Sequence, residues 1–192
     1  MPIEIEKKYR LTKSQRVAIE RRLRELKASS LPVEFEENIL YRGGRIDFGS
    51  CALRLRRVGK RSILTFKQRI PTTSAIKHQM EEETEISDAD AMHAILTALG
   101  FRPALVYEKR RRRWKVGSAK VVIDELPFGL FMEIEASEKE IGRVEKTLDA
   151  SRLPAVMETY PTLTAKLGKK RKGIIEARFK KDRVRSPTVR KG

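Results

Sequence analysis

Cysteine and histidine are almost missing from this chain of 192 residues, which holds one Cys (Cys51) and two His (His78 and His93). A single thiol excludes an internal disulfide and fits a reducing compartment, so a cytoplasmic location is expected. Three such ligands cannot build a structural zinc site by themselves. Any metal bound here has to be a hard cation held by oxygen. The N-terminus lacks the apolar core of a signal peptide, and no apolar run is long enough to span a bilayer. Acid is also scarce, with 26 Asp/Glu against 43 Lys/Arg and a net charge of +17. That balance calls for an anionic partner such as a nucleic acid, a membrane surface or a small polyanion.

What is present suffices for a core, since 40% of the residues are hydrophobic, while 36% are charged, well above the usual quarter. Period-2 alternation predicts eight strands, at about 3–9, 35–41, 51–58, 62–69, 79–86, 104–115, 119–125 and 130–136. Three helices carry start signals. Thr12-Lys-Ser-Gln15 reads as a capping box before Ile19, Leu23 and Leu26. Ser87-Asp-Ala-Asp90 precedes Met92, Ile95, Leu96 and Leu99, with Gly100 as the stop, and Ser137-Glu-Lys-Glu140 precedes Ile141, Val144 and Leu148. A short fourth helix is expected after Pro161. Hairpin-length turns between strands imply antiparallel neighbours. Eight such strands favour a closed barrel, which leaves no exposed edge. The expected class is therefore α+β: a closed eight-stranded antiparallel β-barrel with helices packed on its outside. Residues 1–167 form the expected domain. Residues 168–192, with eleven Lys/Arg and two acids, read as a basic flexible tail with a short ordered piece at "IIEARF".

The chain opens "IEIEKKYRL", which places Glu4, Glu6 and Lys8 on one face of a strand. The same parity recurs. Arg54 and Arg56 alternate with Leu53 and Leu55, Thr65 and Lys67 with Leu64 and Phe66, and Glu133 and Glu135 with Met132 and Ile134. Glu81, Glu83 and Glu85 share a face, as do Lys109, Arg111 and Arg113, while Asp124 stands opposite Ile123. Taken singly, each strand reads as a solvated polar face over an apolar one. Taken together, the strands need an apolar outer wall on which three amphipathic helices can pack. The aliphatic residues then point outward and the charges inward. The interior is expected to hold Lys8, Arg54, Arg56, Lys67, Lys109 and Arg111 against Glu4, Glu6, Glu83, Glu85, Asp124, Glu133 and Glu135. Burying ions costs several kcal/mol each unless they are paired or bound. A water-filled tunnel that takes a polyanion and a divalent cation accounts for both signs: Lys and Arg hold phosphate oxygens, and carboxylates hold Mg²⁺ or Mn²⁺.

In order along residues 3–167, these motifs resemble a CYTH-domain protein of the triphosphate tunnel metalloenzyme superfamily, the group of class IV adenylyl cyclases and thiamine-triphosphatase-like proteins. The matching pieces are Glu4-Ile-Glu6-Lys-Lys8, Leu53-Arg-Leu-Arg56, "LTFK", "EETEI", Lys109-Arg-Arg111, the stretch from Asp124 to Glu135, and "TYPTL". The resemblance implies a metal role for Glu4, Glu6, Glu133 and Glu135. It implies phosphate binding by Lys8, Arg54, Arg56, Lys67, Lys109 and Arg111. The expected catalytic set is Glu4, Glu6, Lys8, Lys67, Glu83, Glu85 and Asp124, of which the last three support the metal or orient water and basic side chains. Arg110 and Arg113 are expected at the mouth or surface, His78 in a solvated loop, and Tyr107 and Trp114 in the outer wall. The first-ranked activity is divalent-metal-dependent hydrolysis of inorganic triphosphate or a small organic triphosphate. The alternatives are a class IV adenylyl cyclase and non-catalytic polyphosphate or RNA binding. Expected partners are a triphosphate-bearing small molecule and, weakly, nucleic acid or polyphosphate at the tail. No membrane partner is expected, and the chain is expected as a monomer or homodimer.

Overall fold

The computed structural model describes residues 3–46, 49–73 and 75–180. The strands are β1 (Ile3–Leu11), β2 (Ser29–Ser30), β3 (Glu34–Arg42), β4 (Cys51–Val58), β5 (Arg61–Ile70), β6 (Lys77–Ile86), β7 (Arg102–Val116), β8 (Ala119–Leu126), β9 (Gly129–Glu135), β10 (Lys169–Arg171) and β11 (Ile174–Ala177). The helices are α1 (Lys13–Glu25), α2 (Ala89–Ala98), α3 (Glu138–Thr147) and α4 (Tyr160–Leu167). Eight strands close into a ring in the order β7-β3-β4-β5-β6-β1-β9-β8, with β8 returning to β7. Every pairing in that ring is antiparallel.

The helix starts follow local chemistry. The Thr12 hydroxyl accepts from the Gln15 amide while the Gln15 side chain accepts from the Thr12 amide, a complete capping box. Asp88 rather than Ser87 caps α2, because its carboxylate reaches the amides of Asp90 and Ala91. Gly100 stops that helix at φ +87°, where a side chain would be strained. Thr159 caps α4, so the helix begins one residue before Pro161.

The aliphatic faces of the strands point outward, and the helices cover them. Ile19 and Leu23 of α1 and Ile141 and Val144 of α3 pack on Tyr9, Trp114, Val121, Ile123, Met132 and Ile134. Leu96 of α2 packs on Tyr41 and Leu55, with Leu53, Leu64 and Met92 alongside. Each fully buried aliphatic side chain here is worth about 1.5–3 kcal/mol. A third apolar group lies on the inner face at one end of the barrel. There Leu40, Leu105 and Tyr107 meet Phe131, Leu126 and the α4 residues Tyr160 and Leu163.

Three strands lie outside the ring, and two of them fall in the expected tail. β7 is fifteen residues long. β3 takes one of its edges, and β8 covers the other only from Arg110 to Val116. An uncovered edge is a template for pairing, and β11 fills it in parallel over Leu105–Tyr107, with β10 folded back on β11. The ordered piece expected at "IIEARF" thus has its counterpart in β11, and the chain continues through residue 168 as structure. The part of the expected flexible tail from 181 to 192 lies outside the described residues. Among the described residues, no helix is long and apolar enough to cross a membrane.

Candidate active site

Antiparallel partners point to the same side of a sheet, so the register traces the inner face strand by strand. Glu6 lies opposite both Lys77 and Glu135, and Lys8 opposite Glu133. Lys67 lies opposite Ala52 and Glu81, and Arg54 opposite Thr65. Lys109 lies opposite Glu36, and Arg111 opposite Asp124. These faces enclose a cavity of about 600 Å³ inside the barrel. Arg54, Arg56, Lys67, Lys109 and Arg111 form its cationic wall, from β4, β5 and β7. Glu81, Glu4, Glu6, Glu133 and Glu135 form the opposite, acidic wall, from β6, β1 and β9.

Pairing satisfies most of these ions. Lys8 Nζ lies 3.1 Å from Glu133 and 3.9 Å above the centre of the Tyr160 ring. Lys67 bridges Glu4 and Glu81, the latter at 2.9 Å. Arg111 donates to Asp124 through Nε at 2.7 Å and through Nη2, which also reaches Glu133 at 2.7 Å. The Tyr160 hydroxyl donates to Asp124 at 2.8 Å. Arg54 donates to Thr65, which donates to Glu83 at 3.0 Å. The Nε donors of Arg54 and Arg56 are buried without a hydrogen-bond partner. Both residues line the cavity, while the Nε of Arg56 faces buried Glu36 at 3.6 Å, beyond hydrogen-bonding distance.

The electrostatics follow from burial working against neighbouring charge. Burial pushes Glu4 upward, but Lys67 and the hydrogen bond with Glu81 outweigh it and hold the carboxyl at about 2. Glu81 is raised, by burial and by the adjacent Glu4 against the pull of Lys67. Burial also raises Glu135, with Glu4 adding to it against Lys120. Glu133 sits well below the usual carboxylate range, because Lys8 and Arg111 overcome its burial. Burial, then the adjacent Arg111, lowers Lys109 to about 8. Lys77 falls to about 8 through burial and the neighbouring Lys8.

The donor set suits a hard divalent cation in its chemistry. Glu4, Glu6, Glu133 and Glu135 offer carboxylate oxygens on adjacent strands, the ligand type a hard cation takes. Each of the four is held by an ammonium or guanidinium group: Lys67, Lys77, Lys8 with Arg111, and Lys120 respectively. Among the described residues, no three His, Cys, Asp or Glu side chains converge as a ligand cluster. A cation would therefore have to displace ammonium groups from these carboxylates.

Lys8, Arg54, Arg56, Lys67, Lys109, Arg111, Glu4, Glu6, Glu133 and Glu135 all line the cavity. Glu83 stands at its rim with its side chain 40% exposed. Glu85 shares the inward parity but is exposed and does not line the cavity. β1 pairs with β6 only over Lys77–Met80, and Glu85 stands beyond that pairing. Asp124 is fully buried behind the wall, not on it, and its contacts are Arg111, Lys109 and Tyr160. Arg113, expected at the mouth or surface, lines the cavity and reaches Glu36 at 3.0 Å. Arg110 is exposed. His78 lies in β6 rather than a loop and bonds Glu138 of α3 at 2.8 Å. Trp114 belongs to the outer-wall core, whereas Tyr107 lies inside the barrel. Sequence reasoning missed Glu36 and Lys77, both buried ions, and left Glu81 out of the interior. Parity with Glu83 was the available signal for Glu81.

A closed antiparallel barrel with cations on one inner wall and carboxylates on the other is of the triphosphate-tunnel type. The chain belongs to the CYTH domain family, whose model matches residues 2–157. Among solved structures, the PH1819 protein of Pyrococcus horikoshii is 28% identical, with TM-score 0.69 over 85% of this chain and 98% of that one. The PH1012 protein of the same organism is 23% identical, with TM-score 0.71 over 82% and 96% of the two chains. The Hippeastrum protein HpAC1, described as an adenylyl cyclase candidate with a dominant triphosphatase activity, is 19% identical, with TM-score 0.67 over 85% and 95%. At 19–23% identity, the likeness to HpAC1 and PH1012 is one of fold alone. No curated protein sequence matches the chain.

Proposed function

We propose that this protein is a divalent-metal-dependent triphosphatase acting on inorganic triphosphate or a small organic triphosphate inside the barrel. One observation carries the reading. Guanidinium and ammonium donors of Arg54, Arg56, Lys67, Lys109 and Arg111 line a cavity with an acidic wall opposite. An anion rich in oxygen acceptors satisfies those donors, and oxygen ligands for a hard cation stand across from it. Arg54, Arg56, Lys67, Lys109, Arg111 and Lys8 would take phosphate oxygens, and positioning plus charge neutralisation is most of what phosphoryl transfer asks of a protein. Glu4, Glu6, Glu133 and Glu135 would hold Mg²⁺ or Mn²⁺, which when bound supplies charge to the phosphoryl oxygens and lowers the pKa of water. Glu83 at the rim would orient Arg54 through Thr65, and Asp124 would fix Arg111 from behind. Water then attacks the terminal phosphorus, the bond to the bridging oxygen breaks, and orthophosphate leaves together with pyrophosphate from inorganic triphosphate or the organic diphosphate from an organic one.

A second reading is a class IV adenylyl cyclase, in which the ribose 3′-oxygen attacks the α-phosphate of ATP. It draws on Leu40 and Tyr107, which give the cavity an apolar side next to Arg54. The test is incubation with inorganic triphosphate or ATP, each with Mg²⁺ or Mn²⁺, scored for orthophosphate, pyrophosphate and cyclic AMP. Orthophosphate from triphosphate, faster than any consumption of ATP, is the expected outcome. Cyclic AMP formed faster than triphosphate is hydrolysed would replace the first reading by the second. Tight binding of both without turnover would favour polyphosphate or RNA binding instead.

A further inference from the structure

Glu36 is the least exposed acid of the barrel together with Asp124, both at 0%. It sits on the inner face of β3, yet it does not line the cavity. Four cations that do line it converge on this carboxylate from behind: Arg113 at 3.0 Å, Lys109 at 3.2 Å, Arg56 at 3.6 Å and Arg111 at 3.9 Å. Each has a second acidic neighbour, namely Glu34 for Arg113, Asp124 for Lys109 and Arg111, and Glu83 for Arg56. Among the described residues, Glu36 is the one acid shared by all four. Despite its burial, Lys109, Arg111, Arg56 and Arg54 hold its carboxyl well below the usual range, so it is an anion.

Four like charges gathered at one wall repel one another strongly where the dielectric is low. A ligand phosphate relieves that repulsion, but in the free protein something else has to. We propose that Glu36 is a built-in counter-anion, a positioning residue that holds Arg56, Lys109, Arg111 and Arg113 converged until a phosphate-bearing ligand takes over their charge. The inference rests on the phosphate reading of the cavity given above. It carries a signature that an ordinary core residue lacks. Removing the charge weakens the free protein but strengthens its hold on a polyanion, because the same cations then have no internal competitor.

The test compares the wild type with Glu36→Gln in chelator, using inorganic triphosphate as the probe. Unfolding temperature is measured with and without triphosphate, and affinity by calorimetry. Without triphosphate the variant should melt well below the wild type, and saturating triphosphate should close most of that gap. Its affinity for triphosphate should rise by about tenfold, as expected for one fewer negative charge close to the site. A gap that triphosphate leaves unchanged, or an affinity that falls, overturns the proposal. If Glu36→Gln is not recovered folded, the double variant Glu36→Gln/Lys109→Met decides. Recovery of the double variant supports the counter-ion role, since it removes one of the orphaned cations, and failure to recover it overturns that role. Absence of triphosphate binding by the wild type would instead overturn the phosphate reading, and the inference with it.

Discussion

Replacing Asp124 by Asn tests whether the cationic wall depends on acids buried behind it. Asp124 is 0% exposed and accepts from Arg111 through both oxygens and from the Tyr160 hydroxyl at 2.8 Å, with Lys109 3.7 Å away. Asn has nearly the same shape but only one acceptor oxygen. If that oxygen serves Arg111 Nη2 and Tyr160, the new NH₂ group faces Arg111 Nε, and the other orientation loses two bonds. Breaking one side of a buried ion pair costs about 3–5 kcal/mol. Arg111 keeps Glu133 at 2.7 Å and Lys109 keeps Glu36 at 3.2 Å, so the lower end, about 3 kcal/mol, is expected. For a chain of this size, each kcal/mol shifts the midpoint by about 2–4 °C, so unfolding should occur roughly 6–12 °C lower. Tyr160→Phe removes one hydroxyl donor and should cost about 1 kcal/mol. Denaturant and thermal unfolding of both variants and the double variant give the coupling directly. A loss below about 1 kcal/mol for Asp124→Asn would mean that Arg111 is held without it, and the argument would fail.

Three further outcomes are expected. Glu6→Gln, which removes a proposed metal ligand while keeping its size, should lower triphosphate turnover by about a hundredfold or more, and wild-type turnover by this variant would remove Glu6 from the site. Lys109 titrates near 8 rather than 10.5, so in that window the unfolded chain holds a proton the native chain has lost. The contribution of this group to stability therefore rises with pH across the window, while triphosphate affinity falls as the ammonium is lost. Unfolding and calorimetry at about pH 7 and about pH 9.5 check both signs, and affinity that is flat across the range counts against Lys109 as a phosphate ligand. Gly168→Ala should loosen the junction of α4 with β11, because its Cβ would lie 2.6 Å from the Thr164 carbonyl, 2.8 Å from Ile175 Cγ2 and 2.9 Å from the Glu176 carbonyl. A cost of about 1–3 kcal/mol, read as lost amide protection in β11, is expected, and unchanged protection would refute it.

Local chemistry in the sequence determined the eight ring strands, the helix starts and the inward parity of most charges. Alternation has a period of two and capping spans three residues, so both are complete within a few positions. Glu4, Glu6, Arg54, Arg56, Lys67, Glu133 and Glu135 were legible for that reason. Position along the barrel was not. Glu81, Glu83 and Glu85 have identical parity, but Glu81 and Glu83 line the cavity while Glu85, farthest from the end of the β1–β6 pairing at Met80, is exposed. β3 reads Glu34-Phe-Glu-Glu-Asn-Ile-Leu, with no clean alternation, and its inward row of Glu34, Glu36, Asn38 and Leu40 mixes charge with an aliphatic. Glu36 could be recognised only once Arg56, Lys109, Arg111 and Arg113 were brought round it from β4 and β7. Tyr107 points inward with Lys109 and Arg111, whose parity it shares, and what only the fold supplies is its apolar contact with Tyr160 and Leu163 of α4 at that end of the barrel. β11 likewise owes its place to an edge of β7 left uncovered by a shorter β8, in a parallel pairing between segments some seventy residues apart, as Ile175 with Leu105. The alternation of side chains is a property of neighbours in the chain. Which ions share a counter-charge, and which edge is left open, depends on residues that only closure of the barrel places side by side.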